Sequence, residues 1–243
     1  MRAKIKPMVV FRFLFLCSIK ILGRIFYSFD FEWIEAPVRH PFREARLNLY
    51  LNHTSLIEPI VLAVLPFSYI WQLANRATFP AADITMKRSI AGTLYKALAP
   101  NPISISRRRD HSWKKFLETV AGKAIVWMTP EGRMKRLNGL DKAGKPMTVR
   151  PGVVEVLERL KGGSLVLIHS GGLHHVLPPG QGFPNLFKII RFRFEVLRVD
   201  EYKIALGHGT DAFRDNVIAD LESRRDRHMQ WDEAPASLEP VIL

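Results

Sequence analysis

A histidine and a carboxylate five residues apart, His53 and Glu58, are the residues whose types and spacing most directly suggest chemistry. They lie in Asn52-His53-Thr54-Ser55-Leu56-Ile57-Glu58-Pro59, between an apolar run that reads as a strand and a segment that reads as a helix. An imidazole titrates near neutral pH, so His53 suits proton removal from a substrate hydroxyl. A carboxylate on its other ring nitrogen would fix the tautomer and stabilise the imidazolium. Ser55 and Thr54 are candidate protein nucleophiles, but direct attack of the activated oxygen on an acyl thioester would need neither. Asn52 and Ser55 flank the base and are candidate substrate contacts. The same residues carry a structural reading too. Ser55-x-x-Glu58 has capping-box spacing, the serine capping a helix and the glutamate bonding back to its amide. A carboxylate has two oxygens, so the two readings are compatible.

Two basic segments are the candidate phosphate binders. Ser104-Ile105-Ser106-Arg107-Arg108-Arg109 follows one apparent strand, and Thr129-Pro130-Glu131-Gly132-Arg133-Met134-Lys135-Arg136 follows another. Arg107 with Arg133 or Arg136 would grip a phosphate through paired guanidinium bonds. Gly132 permits a tight turn or a close ligand approach. Glu131 would orient an arginine or meet a substrate hydroxyl. Three adjacent arginines are also an ordinary solvated surface. His169, His174 and His175 invite a metal reading, but no acidic ligand is tied to them by spacing, and a lining or structural role is the simpler one.

Positioning these groups requires strand ends that converge. Leu47–Leu51, Pro102–Ser106, Ala124–Met128, Ser164–Ile168 and Lys188–Val196 read as strands, the last with a basic face. Residues 55–65, 113–120, 151–160 and 211–228 read as helices, with Pro151 at a helix start. Residues 138–148 read as an exposed loop. Strands alternating with helices imply a layered α/β fold with a mainly parallel sheet flanked by helices, whose loops gather at one edge.

The chain has 243 residues, 47% hydrophobic, enough for a substantial core. Its 36 Lys and Arg outnumber 23 Asp and Glu, for a net charge of +13. That excess fits nucleic acid, anionic lipid or a soluble acidic ligand. Zinc-finger spacing and a helix-turn-helix pattern are missing, and Cys17 is the sole cysteine, so intrachain disulfides are excluded. The first 31 residues favour lipid. Their apolar run is broken by Arg12, Lys20 and Arg24, which share an arc of about 120° on a helix. A helix lying in a membrane surface with its basic edge toward anionic headgroups fits that pattern. A terminal helix packed on the body is the other reading. The division expected is 1–35 for the amphipathic membrane-associating segment and 36–243 for the α/β catalytic domain.

These motifs, spread over roughly residues 40 to 170, resemble those of the PlsC-like glycerophospholipid acyltransferases. Asn52-His53-Thr54-Ser55-Leu56-Ile57-Glu58 is similar to the family's histidine, four residues, then an acid. Ser104-Ile105-Ser106-Arg107 is similar to its second motif and Pro130-Glu131-Gly132 to the core of its third. The resemblance implies that His53 is the general base, Glu58 its orienting acid, and Arg107, Glu131 and Gly132 part of the acceptor site. It implies an acyl-acyl carrier protein or acyl-CoA donor, a lysophospholipid acceptor such as lysophosphatidic acid, and no metal or redox cofactor. It further implies an anionic membrane surface as partner, rather than nucleic acid, with the protein on the cytoplasmic face. Three departures stand out. Glu58 replaces the usual aspartate, as in related enzymes that add secondary chains to lipid A. Arg133-Met134 replaces Thr-Arg after Gly132, so the phosphate arginine is Arg133 or Arg136. Leu165–Ile168 lacks the proline of the fourth motif. A non-glycerol, lipid A-like acceptor and a catalytically degenerate membrane-binding protein are the alternatives.

Overall fold

The computed structural model describes residues 6–35, 39–87, 89–105 and 111–229. Helix α1 (Pro7–Phe26) is followed by strands β1 (Ser28–Trp33) and β2 (Ala45–Leu51) and a 3-10 helix, Glu58–Ala63. Helix α2 (Phe67–Arg76), β3 (Ala77–Ala82), α3 (Asp83–Met86), α4 (Ser89–Leu98), β4 (Asn101–Ile105) and α5 (His111–Ala121) come next. The chain continues with β5 (Ile125–Met128), α6 (Gly152–Arg159), β6 (Ser164–Ser170), β7 (Ile189–Arg198), α7 (Val199–Ala205) and α8 (Phe213–His228). One seven-stranded sheet has the order β1-β7-β6-β2-β5-β3-β4. The five strands from β6 to β4 run parallel, while β7 meets β6 antiparallel and carries β1 with it.

Alternation along the strands builds the three layers. In β2, Leu47, Leu49 and Leu51 enter a core with α5, α6 and α8, and Tyr50 enters a second core with α1 and α2. In β6, Leu165 and Leu167 face the first core, Val166 and Ile168 the second. Burial on both faces explains the unbroken apolar run of this central strand. In β7 the alternation is one-sided: Ile190, Phe192 and Phe194 are buried, while Arg191 and Arg193 pair with Asp30 and Glu32 opposite them on β1. Those two arginines therefore do not form a free basic face.

Three readings are changed or refined. The segment 55–65 forms only the short 3-10 helix, because Pro59 follows its first residue and α2 begins beyond Pro66. The 138–148 segment is the exposed loop expected, and it is ordered as a hairpin. Asp141 holds it by accepting the Ala143 and Lys145 amides at 2.7 and 2.9 Å, and Leu140 bridges to Pro146.

The third change inverts the N-terminal helix. Arg12 donates to the Ala74 carbonyl at 3.1 Å, Lys20 to those of Ala63 and Leu65 at 2.7 and 2.8 Å, and Arg24 to Ala63 at 2.9 Å. The last carbonyls of a helix lack internal partners, and the basic edge of α1 supplies donors to these. That edge consequently faces the body rather than headgroups. Met8, Phe11, Leu14, Ile21, Leu22 and Ile25, each more than half exposed, form the outer side. No helix among the described residues is long and apolar enough to cross a membrane.

Candidate active site

Because β2, β5 and β6 are parallel, the loops after Leu51, Met128 and Ser170 meet at one sheet edge. Asn52 turns the chain there with φ of 66°, a left-handed conformation that asparagine tolerates better than most residues. Its side-chain amide donates to Ser170 O at 2.9 Å, and its backbone N–H to Glu131 Oε1 at 2.8 Å. Lys135 N–H reaches His53 O at 2.8 Å, and Leu173 N–H reaches Thr54 Oγ1 at 2.8 Å. All three loops are thus tied to the Asn52–Thr54 turn.

His53 Nδ1 lies 2.7 and 2.6 Å from the two Glu58 oxygens. Glu58 Oε1 also accepts the Thr54 and Ser55 amides at 2.9 and 3.3 Å. The dyad and half of the capping box therefore coexist on one carboxylate. The longer glutamate reaches back from the first residue of the 3-10 helix to collect all three donors. With Nδ1 engaged, Nε2 is the nitrogen left for a substrate proton. Burial pulls the imidazole toward neutrality, but the charge and hydrogen bond of Glu58, with Glu131 behind, outweigh it and hold the pKa above its ordinary value.

Two cavities flank the ring. The larger, about 1620 Å³, is lined by His53, Glu58, Gly132, Arg133 and Arg136. Leu16, Val61, Leu62, Leu73, Phe79 and Trp127 give it an apolar wall. It exceeds the roughly 300–1,000 Å³ of common ligand pockets, so a long chain and a polar headgroup fit together. The smaller, about 150 Å³, lies beside His53 among Asn52, Glu131, Lys135 and Arg225. At about 30 Å³ per water it has room for a handful of waters.

The sequence candidates divide between these spaces. Glu131 belongs to the small cavity, where burial raises its pKa against the Asn52 N–H, His53 and Arg225. Its Oε1 braces Asn52, and it lines none of the large cavity. Ser55 is buried, donates to Leu177 O at 2.8 Å and lines neither cavity, and Asn52 lines only the small one. Arg133 is paired to the buried Asp141, whereas Arg136 has no acidic partner among the described residues. Arg107 lies outside the described residues. The histidine trio splits three ways: His169 to Glu195, His174 to the Lys135 carbonyl and His175 to the Ile189 carbonyl. They do not form a metal ligand set.

Sequence reasoning missed Lys142, Lys145 and Arg150, which line the large cavity, and Lys135 and Arg225, which line the small one. Gly-Lys alternation around Gly144 was the one visible signal for the lysines. Arg225 had none, since it arrives from α8, with Nη1 3.9 Å from Glu131 Oε1.

No family model and no curated protein matches the chain. Among solved structures, the 1-acyl-sn-glycerophosphate (LPA) acyltransferase PlsC from Thermotoga maritima is similar, with a TM-score of 0.57 and 16% identity over 93% of this chain and 82% of that one. At this identity the likeness establishes the shared α/β fold.

Proposed function

We propose that this chain transfers a fatty acyl group from a thioester, on acyl carrier protein or coenzyme A, to a hydroxyl of a phosphate-bearing lipid acceptor such as lysophosphatidic acid. The observation that carries the reading is the Glu58-held imidazole opening onto a cavity with an apolar wall and cations that have no acidic partner among the described residues. The fold is shared with an enzyme of that activity. His53 Nε2 takes the acceptor's hydroxyl proton as the oxygen attacks the thioester carbonyl carbon. The C–O bond forms, the C–S bond breaks, and the imidazolium returns the proton to the departing thiolate. Glu58 holds the ring throughout. Arg136 takes the acceptor phosphate, since Asp141 occupies Arg133.

The test is release of free thiol and formation of ester from a long-chain acyl thioester across lysophosphatidate, glycerol 3-phosphate and non-glycerol lipid acceptors. Turnover is expected only with acceptors carrying both a hydroxyl and a phosphate. Arg136→Ala should raise the acceptor KM by about 10- to 100-fold, the worth of a charge-assisted contact, with little change in the donor KM. Equal turnover with a neutral monoacylglycerol would sink the phosphate assignment.

Membrane association at the cytoplasmic face, with 1–35 as the docking segment and 36–243 as the catalytic domain, is part of the same proposal. The exposed apolar outer face of α1 supports it: on insertion, each fully buried side chain would contribute about 1.5–3 kcal/mol. Since the basic edge is spent on the body, vesicle binding should persist on zwitterionic lipid. The double variant Phe11→Glu/Leu14→Glu should lose at least tenfold in vesicle co-sedimentation. Undiminished binding by a folded double variant rules out α1 as the anchor.

A further inference from the structure

Among the described residues, eight acidic or basic side chains line the large cavity: His53, Glu58, Arg133, Arg136, Asp141, Lys142, Lys145 and Arg150. Arg133 and Asp141 cancel internally, and Glu58, beside an imidazole that works in its neutral form, contributes one further negative charge. Arg136, Lys142, Lys145 and Arg150 remain, none with an acidic partner among the described residues. A single phosphate monoester brings a charge of about −1.5 to −2 near neutral pH. Against Glu58 and one such group, the four cations would leave an excess of about one positive charge or more. Two phosphate-type groups, together with Glu58, would offset the four.

The backbone that carries the extra cations is held in place. Lys142 and Lys145 ride on the Asp141 hairpin, whose ends are joined by Asp141 N–H to Lys145 O at 2.8 Å and Arg136 N–H to Leu140 O at 2.8 Å. Asp141 thus performs two tasks, fixing the turn and neutralising Arg133. Arg150 is pinned by its N–H to Pro130 O at 2.8 Å. Its Cγ lies 3.5 Å from where a Cβ on Gly132 would stand, so the arginine stem runs over that glycine at the cavity wall.

We propose that Lys142, Lys145 and Arg150 form a second anion subsite, so that the substrates filling this cavity bring a second phosphate-type group besides the one at Arg136. This rests on the acyl-transfer reading for its biological occupant. The second group belongs either to the acceptor or to a phosphorylated thioester donor, and the chemistry of capture is the same.

Calorimetric titration of the full chain with propyl phosphate and with 1,3-propanediol bisphosphate tests the subsite without turnover. The parent should bind the bisphosphate at least tenfold more tightly. Lys142→Ala/Lys145→Ala and Arg150→Ala should each shrink that preference to about threefold or less. Lys114→Ala/Lys115→Ala, on the exposed face of α5 and outside the cavity, should leave it intact. No preference in the parent, or an equal loss in the α5 variant, overturns the subsite. Transfer assays then assign the group. A KM defect of the hairpin variant with acyl-CoA that vanishes with the acyl N-acetylcysteamine thioester places the second phosphate on the donor. A defect that persists with both places it on the acceptor. Unchanged KM values for every substrate overturn the substrate role. A parent without turnover refutes acyl transfer, while the titration still judges the subsite.

Discussion

Replacing His53 with alanine is expected to lower acyl transfer by about 10²- to 10⁴-fold, the usual worth of a general base, while the protein stays folded. The fold should survive because the ring's described bond goes to one partner, and that partner is not orphaned. Glu58 keeps the Thr54 and Ser55 amides at 2.9 and 3.3 Å after the imidazole is gone. The space vacated adjoins two existing cavities rather than a close-packed core. Circular dichroism and thermal midpoint should therefore match the parent within a few degrees, with thiol release reduced by that 10²- to 10⁴-fold factor. A folded His53→Ala protein with full turnover eliminates the base assignment.

Glu58→Gln is expected to cost a comparable 10²- to 10⁴-fold, for a different reason. The amide can keep one oxygen toward the Thr54 N–H, but its NH2 then turns to Nδ1. That nitrogen must become an acceptor, which places the ring proton on Nε2, the atom needed as base. The pH profile separates this from a structural loss. His53 works in its neutral form, so in the parent kcat/KM should rise with pH through a pKa above the ordinary imidazole value near 6.5. Without the Glu58 charge, burial becomes the leading influence, and the inflection should move to lower pH. The same linkage fixes the sign for stability. The imidazolium–carboxylate pair contributes fully below the unfolded-state pKa, and the contribution fades as pH rises through the raised folded value. An unshifted inflection in the glutamine variant means that Glu58 does not set the state of the ring.

Taken together, the two variants locate the chemistry on one side of His53 and its support on the other. Nδ1 faces the carboxylate, and the large cavity lies beside the ring. The polar chamber behind it, walled by Glu131, Lys135 and Arg225, braces the Asn52 turn that presents the ring.

The sequence by itself determined the elements whose signal is local. β2, β5, β6 and β7 follow from short apolar or alternating runs, α6 from Pro151 and its apolar stripe, and the dyad from the five-residue step between His53 and Glu58. It also carried signals that competing patterns hid. β1 alternates Phe29, Phe31 and Trp33 with Asp30 and Glu32 but adjoins a helical run, and β3 contains Pro80. That proline is accommodated because the β5 ladder covers only Ala77 and Thr78. Tertiary structure alone decided which way each charge faces. Arg12, Lys20 and Arg24 form a basic edge on any helical projection, yet whether that edge meets lipid or carbonyls depends on a helix end some 40 residues or more away in the chain. Arg133 and Arg136 are equivalent in sequence until the hairpin brings Asp141 onto one of them. Periodicity reports a residue's face on its own element, whereas pairing and burial depend on which other elements that face meets, and that is settled only when the chain packs.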